Sequence, residues 1–180
     1  MSSSATRAAV LAVALAGPAA GAALEPRFDH RDAHGPSVEA VVAHDAVARS
    51  GVATASSWRP AVRVAWGFDV SGVGDDLIAG ATVALRPFHD PERERVLLGV
   101  DVRYRGYFGT EELKTFFDVG AWAPLRSRLA VGPLVGLGAA YDFSRSFGVY
   151  VAASFATAFG EARVASFSGG MGAQLRFDLP

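Results

Sequence analysis

The residues from Ser166 to Leu179 alternate without a fault. Phe167, Gly169, Met171, Ala173, Leu175, Phe177 and Leu179 share one face, and Ser166, Ser168, Gly170, Gly172, Gln174, Arg176 and Asp178 share the other. No polar side chain enters the first face and no large apolar one the second. A period of two with this segregation is a β-strand. Three glycines within it weigh against a helix.

The same rhythm recurs upstream. Val62–Val70 sets Val62, Val64, Trp66, Phe68 and Val70 against Arg63, Ala65, Gly67 and Asp69. Leu77–Leu85 sets leucine, alanine and valine against Ile78, Gly80, Thr82 and Ala84. Val96–Phe108 sets Val96, Leu98, Val100, Val102, Tyr104 and Phe108 against Asp101, Arg103, Arg105 and Tyr107. Leu113–Leu125 opposes Leu113, Phe117, Val119 and Leu125 to Lys114, Asp118 and Gly120. Leu129–Phe143 and Phe147–Phe159 carry Gly, Ala and Ser on the second face, with Asp142 its one charge.

The partition decides which face is inside. A soluble sandwich turns its bulky apolar face inward and covers its outside with Lys, Glu and Thr. Here the second face is small residues punctuated by charges, which suits a narrow interior. The first face is a continuous surface of Val, Leu and Phe. That is the inside-out pattern of a membrane barrel, and apolar tracts of about 9–11 residues cross a bilayer when tilted. The expected fold is all-β: an eight-stranded, antiparallel, up-and-down transmembrane β-barrel.

Seven strands follow Pro60, and closure calls for an eighth, because an open edge in lipid is not tolerated. Pro36–Asp45 supplies it. The spacing of Val38, Val41, Val42 and Asp45 also allows a helix over residues 37–50, and parity favours the strand. With the C-terminus on the periplasmic side, the outer links are Ala46–Arg59, Phe88–Glu94, Pro124–Ser127 and Gly160–Arg163. The inner turns are Ser71–Asp76, Gly109–Glu112 and Ser144–Ser146. Phe68, Tyr107, Phe108, Phe116, Phe117, Tyr141, Phe143, Phe147 and Phe177 gather near the inner ends, as an interfacial aromatic girdle requires.

Residues 1–22 read as a secretory signal: Arg7, then an apolar run from Ala8 to Ala16, then Gly17-Pro18 and the small-x-small pattern Ala20-Gly21-Ala22. Residues 23–35 read as a polar leader and 36–180 as the barrel. The chain of 180 residues has no cysteine, which excludes disulfides and thiolate chemistry. With 17 basic and 18 acidic residues it lacks a nucleic-acid footprint.

These features resemble the small bacterial outer-membrane β-barrel family of the eight-stranded type, over roughly residues 36–180. The resemblance implies a bacterial outer-membrane location, membrane lipid as surroundings and a monomer. It also implies that Met171–Phe177, ending on Phe177, is the last-strand signal read by the family's insertion machinery.

The best constellation of reactive groups is the charge on the second face: Arg63, Asp69, Asp101, Arg103, Arg105, Lys114, Asp118, Asp142 and Arg176. Buried charges must pair, so these residues are expected to form an internal network. They would either line a narrow pore or fill the interior; eight strands leave room mainly for side chains. No metal site or cofactor motif is present, and no catalytic residue is assigned. Two other readings stand beside the structural one. An outer-membrane lipid-modifying enzyme would use His44 or His89 with Ser50, Ser56 or Ser57 at the outer rim. A secreted soluble barrel binding a small hydrophobic ligand would need the Val/Leu/Phe face turned inward.

Overall fold

In the computed structural model the described residues are 33–49, 52–71, 74–89, 95–109, 112–125, 130–160 and 162–178; the expected signal and most of the leader lie outside them. The strands are β1 (Ala33–Arg49), β2 (Val52–Asp69), β3 (Asp76–His89), β4 (Arg95–Phe108), β5 (Leu113–Leu125), β6 (Gly132–Ser144), β7 (Phe147–Ala158), β8 (Arg163–Leu175) and β9 (Phe177–Asp178). The two-residue β9 continues the course of β8 past Arg176 and pairs with the start of β1. From β1 to β8 each strand pairs antiparallel with the next, and β8 pairs with β1 to close the barrel. Among the described residues there is no helix. The segment after Pro36 is therefore a strand. It runs from Ala33 to Arg49, wider than the Pro36–Asp45 expected.

The register sets the shape. Asp45 faces Ser166, which faces Ala156, then Leu134, Gly120, Arg103, Ile78, Gly67 and finally Gly35. One circuit returns to β1 ten residues earlier. With a rise of ~3.3 Å per residue and strands ~4.8 Å apart, eight strands and this stagger give a tilt of about 40°.

The pleat then sorts the side chains. Outward stand Val64, Val102, Val119, Val135, Leu137, Val151, Phe167 and Met171, all exposed. Inward stand glycine, alanine, serine and the charges. The apolar belt is bounded by aromatics. At the inner end His34 stacks near Trp66 (5.7 Å), Phe68 (6.2 Å) and Phe177 (6.2 Å), and Phe143 lies against Tyr141 and Phe147. At the outer end His44 lies 4.9 Å from Trp58. His34 and His44 are ten residues apart on β1. At the tilt above that is roughly 25 Å along the barrel axis, the height of a lipid-facing band.

Two expectations are corrected. The stretch Ala46–Arg59 is not a loop: β1 runs to Arg49 and β2 starts at Val52, so the hairpin continues as paired strands. The run of Ala, Thr and Ser there keeps the extended conformation because cross-strand pairing and the inward Val47 hold it. Phe116 and Tyr107 do not belong to the lipid-facing girdle at the inner end. Phe116 is 2% exposed inside the barrel, and the Tyr107 hydroxyl donates to Asp76 (3.0 Å), also inside. The parity of Lys114–Phe116–Asp118 and Arg105–Tyr107 already put them there.

At the inner turns the chain is tied down locally. Asp75 accepts hydrogen bonds from the Tyr104 hydroxyl and from the Tyr107 backbone N–H (3.2 Å). Gly109 turns the chain from β4 towards β5 with φ +101°, a conformation glycine adopts without strain.

The outward band makes a depth-dependent prediction. Val119 lies midway along β5, whereas Leu85 lies just past the last β2–β3 pair at the outer end. Val119→Arg should destabilise the barrel folded into vesicles by about 2–4 kcal/mol, and Leu85→Arg by about 0–1 kcal/mol, read from urea unfolding. Equal costs at the two positions would contradict a lipid-facing band.

Candidate functional site

The interior concentrates charge. Among the described residues, six acids (Glu39, Asp45, Asp76, Asp101, Asp118, Asp142) and six bases (Arg59, Arg63, Arg103, Arg105, Lys114, Arg176) are buried. The two signs balance, as a low-dielectric interior requires.

Their contacts form a chain across strands. Arg63 on β2 binds Asp101 on β4 in bidentate fashion, at 3.0 and 2.7 Å. It reaches over β3 because Gly80 stands between; a Cβ there would lie 2.5 Å from the Arg63 guanidinium. Arg103 bridges Asp101 (2.9 Å) and Asp118 (3.2 Å). Arg105 takes both oxygens of Asp118, at 2.7 and 2.9 Å. The Arg105 guanidinium also lies 3.7 Å over the Phe116 ring, a cation–π contact that strengthens on desolvation. Glu39 meets Arg63 at 3.7 Å and accepts from the Tyr150 hydroxyl at 3.4 Å. A second cluster joins Lys114 (2.8 Å) and Arg176 (3.0 Å) to the two oxygens of Asp142. Nearer the outer mouth Arg59 pairs with Asp45.

Above the charged layer an apolar group that includes Val47, Trp122, Leu134, Ala158 and Val164 packs across the outer mouth. Between them lies a cavity of about 40 Å3 whose lining includes Arg59, Arg63, Trp122, Ser154 and Ser168. A second cavity of about 20 Å3 lies at the inner end beside Asp76, Gln174 and Arg176. Arg59 Nη1, Asp45 Oδ1, Gln174 Nε2 and Arg176 Nη2 have no hydrogen-bond partner among the described residues. Buried polar atoms of this kind are ordinarily met by internal water.

Of the nine charged residues singled out from sequence, eight are buried in these contacts. Asp69 lies half-buried at the inner rim, where its carboxylate accepts from the Ser71 backbone N–H at 3.1 Å. Four interior charges went unnoticed: Glu39, Asp45, Arg59 and Asp76. Glu39 carries the right parity once β1 is a strand. Asp45, six residues on, shares that parity at the end of the expected strand, whereas Arg59 became visible only when the expected loop proved to be a hairpin, and Asp76 only when the expected turn proved to begin β3.

No family model matches the chain, and no curated protein matches it. Solved structures do. Neisserial surface protein A is 15% identical, covers 81% of this chain and 99% of its own, and has a TM-score of 0.60. Ail, the attachment invasion locus protein of Yersinia pestis, is 13% identical over 82% and 99%, with a TM-score of 0.53. The outer membrane protein OprG of Pseudomonas aeruginosa is 10% identical over 84% and 99%, also at 0.53. The fold is that of the small eight-stranded outer-membrane barrels.

The groups considered for catalysis are dispersed in this barrel. His44 lies tilted against Trp58 at the outer face, while its neighbour Asp45 turns inward to Arg59. The Ser57 hydroxyl donates to the Trp58 carbonyl at 3.3 Å, and Ser56 faces Ala46 across the hairpin. His89 ends β3 with its side chain outside the described residues, as is Ser50 altogether.

Removing one member of the charge chain should cost more than removing a pair. Asp118→Ala strands Arg105 and part of Arg103 and should destabilise the barrel by about 3–5 kcal/mol; adding Arg105→Leu should recover most of that loss. Urea midpoints in vesicles measure both. A neutral Asp118→Ala would show that the ion pairs hold nothing together.

Proposed function

We propose that this chain is an exported, monomeric protein of the bacterial outer membrane whose barrel interior is filled, and that it serves envelope structure or surface contact rather than transport or catalysis. The observation that carries the reading is the interior itself. Among the described residues twelve buried charges of balanced sign and an apolar group across the outer mouth surround cavities of about 40 and 20 Å3, each with room for a few waters.

The outward band and the likeness of fold support the location. The signal pattern of residues 1–22 supports export, and the last strand, whose Phe177 stands exposed at the inner girdle beside His34, supports delivery by the insertion machinery. The lipid-modifying alternative fares worse because alternation on β1 sends His44 and Asp45 to opposite faces.

Fractionation with gel analysis tests the location. The protein should partition with outer membranes, and the unboiled sample should migrate differently from the boiled one. A soluble periplasmic product with no such shift would reverse the reading. In planar bilayers the unaltered barrel should show no sustained conductance. Replacing Arg63, Arg103 and Arg105 together with serine should open an ion-permeable path. Steady conductance by the unaltered barrel would overturn the filled interior.

A further inference from the structure

At the inner end of the wall, β3, β4 and β5 bring one carboxylate and three rings together on the outward face, apart from the charge network of the lumen. Asp75, immediately before β3, accepts hydrogen bonds from the hydroxyl of Tyr104, an exposed outward residue, and from the Tyr107 backbone N–H at 3.2 Å. Its backbone is fixed as well. The Asp75 N–H donates to the Ser71 hydroxyl at 3.0 Å, and its carbonyl accepts from the Val70 N–H at 3.0 Å. The carboxylate is therefore held in place. Each oxygen takes one hydrogen bond, whereas an ionised carboxylate offers about four acceptor sites. Among the described residues no lysine or arginine pairs with it.

The rings are Tyr104, Phe108 and Phe117. Phe117 lies 6.0 Å from Tyr104 and 5.6 Å from Phe108 between centroids. Gly106 pairs with Phe117 on β5. The β3–β4 ladder sets Leu77 opposite Tyr104, and two residues further on it would set Asp75 opposite Gly106. A Cβ on Gly106 would lie 2.2 Å from Cε1 of Phe117. The missing side chain thus lets the Phe117 ring lean across β4 towards the side on which Asp75 stands. The depth is that of the girdle. From His34 the register passes to Phe68 and then Leu77. Two residues back along β3 cancel the rise of those two strands, so Asp75 stands within about 2 Å of His34 in height. Further into the apolar layer Leu77, Val102 and Val119 are exposed.

We infer that this corner binds the primary ammonium headgroup of an ethanolamine-type phospholipid in the inner leaflet. A fixed carboxylate beside aromatic rings is the chemistry that holds an ammonium group: its N–H groups donate to the open acceptor sites of Asp75, and the rings attract the positive charge. Position argues for a lipid as the source. The corner opens sideways at the membrane–water boundary, where a headgroup is held by its own acyl chains lying along Leu77, Val102 and Val119. Asp69, half-buried at the neighbouring end of β2, adds negative charge that works against an anionic headgroup. The inference rests on the outer-membrane reading above and adds a lipid preference to it.

Native mass spectrometry of the folded, detergent-solubilised barrel tests the site, with phosphatidylethanolamine and phosphatidylglycerol of identical acyl chains as probes. The first lipid should be retained about tenfold more tightly than the second. Asp75→Asn should remove most of that preference and Phe117→Leu should weaken it by about threefold, each with the heat-dependent gel shift intact. Phe143→Leu, in the girdle on β6, should leave the preference unchanged. If Asp75→Asn fails to fold, Phe117→Leu decides alone. Equal retention of the two lipids overturns the inference, as does a preference that survives the substitutions at the corner. Displacement of the bound lipid by free ethanolamine would assign the corner to soluble amines and overturn the lipid as its ligand. Fractionation and gel shift report on the outer-membrane reading and lipid preference on the corner, so the two failures are distinguishable.

Discussion

Hydrocarbon offers nothing to hydrogen-bond to. Every backbone N–H and C=O within the bilayer must therefore find its partner in the protein, and a sheet meets that demand only by closing on itself. The rest of this architecture follows. Closure of β8 on β1 with a ten-residue stagger fixes the tilt, the tilt fixes how many residues cross the apolar layer, and the pleat assigns each residue to lipid or lumen. Where the demand lapses, beyond Trp58, the structure relaxes. The ladder between β2 and β3 ends at Ala61 opposite Ala84, beside Pro60, while β1 and β2 stay paired as far as Arg49 and Val52.

The lumen obeys a second rule, that buried charge must be matched. Small residues make the matching feasible. Gly80 lets Arg63 pass over a strand to Asp101, and Gly170 gives room to Glu39, whose carboxylate would lie 2.4 Å from any Cβ placed there. Aromatic rings complete the shell around Arg105, with Phe116 and Tyr150 on its guanidinium. The small residues of the second face are therefore the spaces into which the long side chains fold.

Much of this was legible in the sequence because a barrel wall is read two residues at a time. Ser166–Leu179 and Val96–Phe108 show both faces, and eight interior charges follow from parity alone. What was missed lies where parity has no anchor. Glu39 sat in a segment equally compatible with a helical period. Asp45 and Arg59 flanked a Ser/Thr/Ala run whose composition suits a loop, and only pairing to β1 reveals it as strand. Pairing partners are not visible along one chain, so the long hairpin, the apolar group across the mouth and the end of the β2–β3 ladder needed the structure.

Closure also governs the order of assembly. Ala43 lies opposite Ser168, 125 positions later, so the seam that completes the barrel joins segments from opposite ends of the described chain. Hairpins between sequence neighbours form at small entropic cost, whereas this last ladder waits for the largest loop. Until it zips, two strand edges are unpaired and six acids and six bases lack a sealed interior. No partly closed form can rest in hydrocarbon, so membrane entry and folding must be one cooperative event.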